Sequence, residues 1–265
     1  MWRAAAALDR ALGGRVLDRT DFRVPRYAAL DFGGRSIAGA AAYGKHLFVR
    51  IEGGTSLHVH FMMEGEWRLY RRGGRWAGPA HEIRVVLSAT PWDAVGYRFQ
   101  VLDLLETAHE ARITGPLGPD VLGPGWNSAE AAARLRSDPA RPLADALLDQ
   151  RLVAGWGNVY KSEICFLAGL DPRTPVGHIE RLERVASLGH RLIGSNRNRH
   201  GHVTTGDLRP GRGHWVYGRA ERPCLRCGTI IRRERPSGTG AQRVTYWCPH
   251  CQPAHQSVRS APAEG

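Results

Sequence analysis

The chain has 265 residues, a formal net charge of +12 and a sequence pI near 10.2. That length builds one large or two modest cores, and so basic a balance points to a polyanionic partner. It argues against an acidic solvating chain. No apolar run of membrane length or secretory leader is visible. A reducing, cytoplasmic location is therefore expected, with no membrane partner. Of the 37 basic residues only Lys45 and Lys161 are lysine. The arginine, glycine and alanine excess fits a high-GC genome, but the net charge does not follow from codon bias.

Residues 2–12, WRAAAALDRAL, predict a helix with Trp2, Ala5, Leu8 and Leu12 on one face, ended by Gly13-Gly14. From about 15 to 106 the pattern turns to period two, as in SLHVHFMMEGEWRLY, with glycine pairs at 33–34, 53–54 and 73–74. That predicts a β-sandwich or barrel built from hairpins. In HFMMEG, Met62 is expected to face inward. Residues 113–126, rich in Gly and Pro, read as a linker.

Helices follow. SAEAAARLR is expected to start at a Ser N-cap. RPLADALLDQRLVAG and NVYKSEICFLAGL form a pair of helices around GWG, with Asn158 as the N-cap of the second. HIERLERVASLGHRLIGSN predicts a longer amphipathic helix, and Cys165 a buried small hydrophobe. Residues 201–222 read as a Gly- and Arg-rich loop. The helix start at Asn158 can receive a phosphate on its free N–H groups, or simply be a capped hairpin.

Cys224, Cys227, Cys248 and Cys251 form two Cys-x-x-Cys pairs separated by twenty residues. Four thiolates at this spacing close a tetrahedral shell around one structural zinc ion, with no position open for catalysis. Two disulfides or unrelated thiols are the alternatives.

These stretches, with GKHLFVRI, HVHFMMEGEWRLY and HWVYGRAERPCLRCG, resemble the Fpg/Nei family of DNA glycosylases and AP lyases. The likeness is to actinobacterial endonuclease VIII-type members and runs from Trp2 to about Gln252. It implies an α+β chain: an N-terminal helix plus β-sandwich (1–112), the linker (113–126), a helical domain with a helix–two-turn–helix motif (127–220), a four-cysteine zinc finger (221–252) and a disordered tail (253–265). DNA lies in the cleft between the two halves of such proteins. The implied activity is base-excision repair. A glycosylase/AP lyase acts on oxidised bases and abasic sites through a Schiff base and β,δ-elimination, as a monomer on damaged duplex or single-stranded DNA in the bacterial nucleoid.

The resemblance also assigns residues. Lys45 matches the sandwich lysine that contacts phosphate and assists β-elimination; a solvated strand-start lysine is the plainer reading. Asn158 matches the phosphate-binding asparagine. Arg243 matches the finger arginine that grips phosphates at the lesion, against the common fate of a solvated arginine. Met63 matches the wedge that fills the hole left by an extruded base, against simple core packing, and His60 borders the same site. The loop that faces the orphaned base is poorly recognisable in ATPWDAVGYRF.

One departure concerns chemistry. The family attacks C1′ with an N-terminal proline amine, whose pKa near 8 leaves a useful free-base fraction, and a following glutamate moves protons. No Pro-Glu pair stands near Met1. Met1 falls where such relatives carry a valine, and GUG encodes valine but also initiates as Met. The expectation is an active lyase whose start lies upstream, with a non-catalytic damaged-DNA-binding paralogue as the alternative. An RNA- or ribosome-associated zinc protein fits the charge and finger but not the paired helices.

Overall fold

The computed structural model describes residues 1–62, 64–199, 201–235 and 243–254. The chain divides into two compact units, Met1–Leu117 and Gly118 onward.

The first unit opens with α1 (Trp2–Leu12), whose Ala5, Leu8, Ala11 and Leu12 are buried. Eight strands follow: β1 (Arg19–Phe22), β2 (Ile37–Tyr43), β3 (His46–Ile51), β4 (Thr55–His60), β5 (Glu66–Arg71), β6 (Ile83–Ala89), β7 (Trp92–Tyr97) and β8 (Val101–Glu106). They form two four-stranded antiparallel sheets, ordered β1-β6-β7-β5 and β2-β3-β4-β8. One core joins the helix to both sheets. Leu8 and Leu12 pack with Leu47, Val49 and Leu57 of one sheet and Val85 and Leu87 of the other. Alternating strands bury their apolar rows in this way because successive side chains point to opposite faces. A short helix, α2 (Ala111–Thr114), ends the unit.

The second unit contains α3 (Ser128–Leu135), α4 (Leu143–Leu148), α5 (Asn158–Ala168) and α6 (Leu182–Gly194), then strands β9 (Arg232–Glu234) and β10 (Thr245–Trp247). Its main core gathers Val121, Leu135, Leu147, Trp156, Ile164 and Val185.

Several expectations change here. The segment 113–126 is not a loose connector beyond residue 117. The Gly118 amide donates to the Gln150 carbonyl at 2.9 Å, Val121 N–H to Ala154 O at 3.0 Å, and Val121 is 1% exposed. Gly118 is required by close approach rather than flexibility, since a Cβ there would lie 2.3 Å from the Leu152 carbonyl oxygen. The cap of α3 is Asn127, whose side chain accepts from the Ala129 and Glu130 amides; Ser128 is already helical. Helix α4 stops at Leu148, short of the expected span. Asp149 turns its carboxylate onto the Arg151 amide at 2.9 Å, a local bond that competes with helix continuation. Helix α6 is shorter than the pattern predicted, because a 3-10 turn, Val176–His178, precedes it. Met62 does not face inward: it is 51% exposed with φ +52°.

Candidate nucleic-acid interface and metal centre

In the first unit, β2 and β3 pair through Tyr43 and His46, which leaves Gly44 and Lys45 as a two-residue hairpin turn. Gly44 takes φ +56°, the positive angle that a tight hairpin requires of its first turn residue. Lys45 is therefore presented at a turn, half-buried, rather than within a strand.

Behind the turn lies a stack of three histidines. His46 Nδ1 and His58 Nε2 are hydrogen-bonded at 2.9 Å, and their rings stack with centroids 5.2 Å apart. His60 meets His46 edge-on at 5.1 Å. His60 Nδ1 accepts the Met62 amide at 3.0 Å. Burial, followed by the neighbouring His46, pushes the pKa of both His58 and His60 down to about 4. Burial and then the Lys45 charge lower that of His46. The cluster is thus neutral near pH 7 and adds no charge beside Lys45. His60 lies two residues before Met62, but Met63 lies outside the described residues.

In the second unit, the turn between α4 and α5 is tightly specified. Gly155 takes φ +116°, and a Cβ there would come within 2.6 Å of Val121 Cγ1. Gln150 spans the turn: its Nε2 donates to the Leu148 and Trp156 carbonyls, both at 2.9 Å, and its Oε1 accepts the Gly155 amide at 3.0 Å. Trp156 is fully buried beneath it. Asn158 is not the N-cap. Gly157 holds that place with no side-chain cap bond, and Asn158 is the first helical residue. Its Oδ1 is buried and has no hydrogen-bond partner.

Helix α5 carries two charged side chains that are fully buried. Lys161 Nζ donates to the carbonyls of Arg243 at 3.3 Å and Val244 at 3.1 Å, and to Thr245 Oγ1 at 2.8 Å. Burial lowers its pKa to about 8. Glu163 accepts the amides of Trp215 at 2.8 Å and of Val216 and Tyr217 at 2.9 Å, together with the Thr204 hydroxyl. This carboxylate organises the Gly- and Arg-rich loop. Sequence reading missed the roles of both residues. The available signal was a Lys and a Glu set in an otherwise apolar helix.

The four expected cysteines converge. Their Sγ atoms all lie within 4.8 Å of one another, with Cys227–Cys248 and Cys227–Cys251 at 3.5 Å and Cys224–Cys251 at 4.0 Å. Bonds of about 2.3 Å to a tetrahedral ion place sulfurs about 3.8 Å apart, whereas a disulfide needs about 2.0 Å. The set fits a structural metal ion and not two disulfides. The finger rests on α5 through Phe166, Val216, Ile231 and Cys248. It also rests on buried Gln252, which bonds the Cys248 amide at 2.9 Å and the Leu170 carbonyl at 2.8 Å. Arg243 is exposed, just ahead of β10.

Known proteins share this arrangement. Residues 3–102 match the formamidopyrimidine-DNA glycosylase N-terminal domain, 117–192 the H2TH domain of the same glycosylase, and 222–254 the zinc finger found in FPG and IleRS. A probable endonuclease 8 2 of Streptomyces coelicolor is 52% identical over 95% of this chain and 92% of its own length. The DNA-(apurinic or apyrimidinic site) lyase Nei2 of Mycolicibacterium smegmatis is 46% identical over 96% of this chain and 97% of its own. A Lactococcus lactis Fpg solved with abasic-site DNA shares the fold, with a TM-score of 0.77 at 21% identity, over 95% of this chain and 97% of that one. With three domains matching in order and relatives this similar along nearly the whole length, the chain belongs to the Fpg/Nei family of DNA glycosylases and AP lyases.

Proposed function

We propose that the protein is a base-excision-repair DNA glycosylase and AP lyase of the endonuclease VIII type. Its substrates are oxidised bases and abasic sites in DNA. The observation that carries this reading is the near-full-length identity to endonuclease 8 and Nei2 relatives. The local geometry supports it. Lys45 sits at a hairpin turn, and Asn158 opens a helix with an unpartnered amide oxygen. Arg243 stands just ahead of β10, in the hairpin whose four cysteines converge. Free N–H groups and the positive end of α5 suit a phosphate at Asn158. A net charge of +12 suits the backbone of a nucleic acid.

In this reading Lys45, Asn158 and Arg243 contact phosphates, and Lys45 also assists elimination. His60 and Met63 border the extruded nucleotide. The four thiolates hold zinc, the ion whose closed sulfur tetrahedra are structural. Zinc stiffens a small hairpin that has little core of its own.

The test is strand cleavage and borohydride trapping on a duplex with an abasic site. It uses the chain from Met1 and the same chain preceded by a Pro-Glu-led segment with its initiator methionine removed. Cleavage with a trapped adduct by either form supports the lyase. Tight binding by both, with no adduct from either, makes the protein a damaged-DNA binder instead.

A further inference from the structure

Helix α5 holds more than the candidate phosphate site at its start. Lys161 lies three residues after Asn158, so both share one side of the helix. Its side chain is fully buried, and its three hydrogen bonds are to three neutral oxygens of residues 243–245. Among the described residues it has no carboxylate in ion-pair range. A buried cation satisfied only by neutral oxygens carries a desolvation penalty that an apolar side chain of the same size avoids. What the ammonium supplies is geometry: a compact head with three donors matches three oxygens.

Those oxygens belong to the segment that leads into β10. Among the described residues, the β9–β10 ladder pairs Thr245–Trp247 with Arg232–Glu234. Arg243 and Val244 lie beyond its end, and the metal ligand Cys248 is five residues away from Arg243. A metal on the four thiolates would act at the other end of the hairpin, beyond Trp247.

We propose that Lys161 is a positioning residue for DNA binding: it pins the Arg243–Thr245 segment to the helix that carries Asn158, and so fixes where Arg243 meets a phosphate. The proposal rests on Arg243 being a phosphate contact. Lys161 reaches the DNA only through Arg243.

The experiment measures Kd for a duplex carrying a tetrahydrofuran abasic analogue across a salt series. It compares the unsubstituted chain with Lys161→Met, Lys161→Arg, Arg243→Ala and the Lys161→Met/Arg243→Ala double variant. Lys161→Met keeps the apolar stem and removes the donors. It is expected to weaken binding on the order of tenfold and to lower the slope of log K against log salt by roughly 0.9, as Arg243→Ala does. In the Arg243→Ala background, Lys161→Met is expected to change Kd less than about twofold, which marks the two residues as one unit. Lys161→Arg keeps the charge but not the compact head, and is expected to lower the salt slope as Lys161→Met does.

An unchanged slope in Lys161→Met, or losses that multiply in the double variant, overturns the proposal while leaving Arg243 as a contact. If Arg243→Ala itself changes neither Kd nor slope, the phosphate role of Arg243 falls and the proposal falls with it. Should Lys161→Met fail to fold, Thr245→Val removes one of the three oxygens alone and is held to the same two criteria.

Discussion

The Glu163 carboxylate accepts the Val216 amide at 2.9 Å from a fully buried position on α5. With the Trp215 and Tyr217 amides it makes three bonds to consecutive residues of a loop that has no helix or strand among the described residues between 195 and 231. One side chain thus does for this loop what a ladder does for a strand. Glu163→Ala is expected to destabilise the second unit by about 3 kcal/mol, because it orphans buried N–H groups. Amides 215–217 are expected to lose protection in hydrogen exchange before those of α5. Uniform exchange across both would show that the carboxylate is not the loop's anchor.

The histidine stack predicts a pH dependence with a definite sign. His58 and His60 have folded pKa values near 4, against about 6.5 when unfolded. Below pH 6.5 the unfolded state binds protons that the folded state refuses. Stability is therefore unaffected by these groups above about 6.5 and falls as the pH drops toward 4. The slope contributed by each approaches about 1.4 kcal/mol per pH unit. Carboxylates titrate in the lower part of that window, so the informative quantity is the difference between the chain and its His58→Gln variant. That variant is expected to show a shallower loss of stability from pH 6.5 to 4, and parallel curves would count against the buried neutral histidine.

The metal is expected at one ion per chain. Elemental analysis of protein purified without chelator is expected to find zinc, and Cys248→Ser to lose it. Loss is predicted to loosen the finger and weaken DNA binding, with the sheets of the first unit still folded, because the four ligands all belong to the second unit. Retained full binding after metal removal would separate the finger from DNA recognition.

Asn158 offers a contrast between stability and function. Its Oδ1 is buried without a partner, so Asn158→Ala removes an unsatisfied acceptor and is expected to leave stability within about 0.5 kcal/mol or raise it. DNA affinity is expected to fall. The change in salt slope is expected to be smaller than that of Arg243→Ala, since no charge is lost. Thermal melts and a salt series on the same protein read both effects. A large drop in melting temperature would assign Asn158 to the fold rather than to the ligand.

Gly155→Ala tests the turn that presents α5. The new Cβ meets Val121 Cγ1 at 2.6 Å in a backbone region that L side chains rarely adopt. A loss of about 1–3 kcal/mol is expected, read by chemical denaturation, whereas Gly125→Ala, where nothing lies within 4 Å, is expected to be near neutral.

By itself, the sequence determined the features set by local pattern. Period-two alternation from 15 to 106 marked the sheets, and the apolar stripe of residues 2–12 marked α1. Two Cys-x-x-Cys pairs marked the metal clip, because ligand spacing is a covalent property of the chain. Elements ended in unexpected places where side chains competed with backbone. Asp149 cut α4 short, and Asn127 displaced Ser128 as the cap of α3.

Only the tertiary structure decided what the buried charges do. Lys161 and Glu163 sit two residues apart, yet one reaches residues 243–245 and the other residues 204 and 215–217. No periodicity encodes such partners, because a buried charge is tolerated only where distant backbone groups converge on it. The same holds for His46, His58 and His60. Three strand positions become one neutral stack through the register that pairs His46 with His60 and Phe48 with His58. Strand registry is set by the whole sheet, and a shift of one residue would turn these rings to the opposite face.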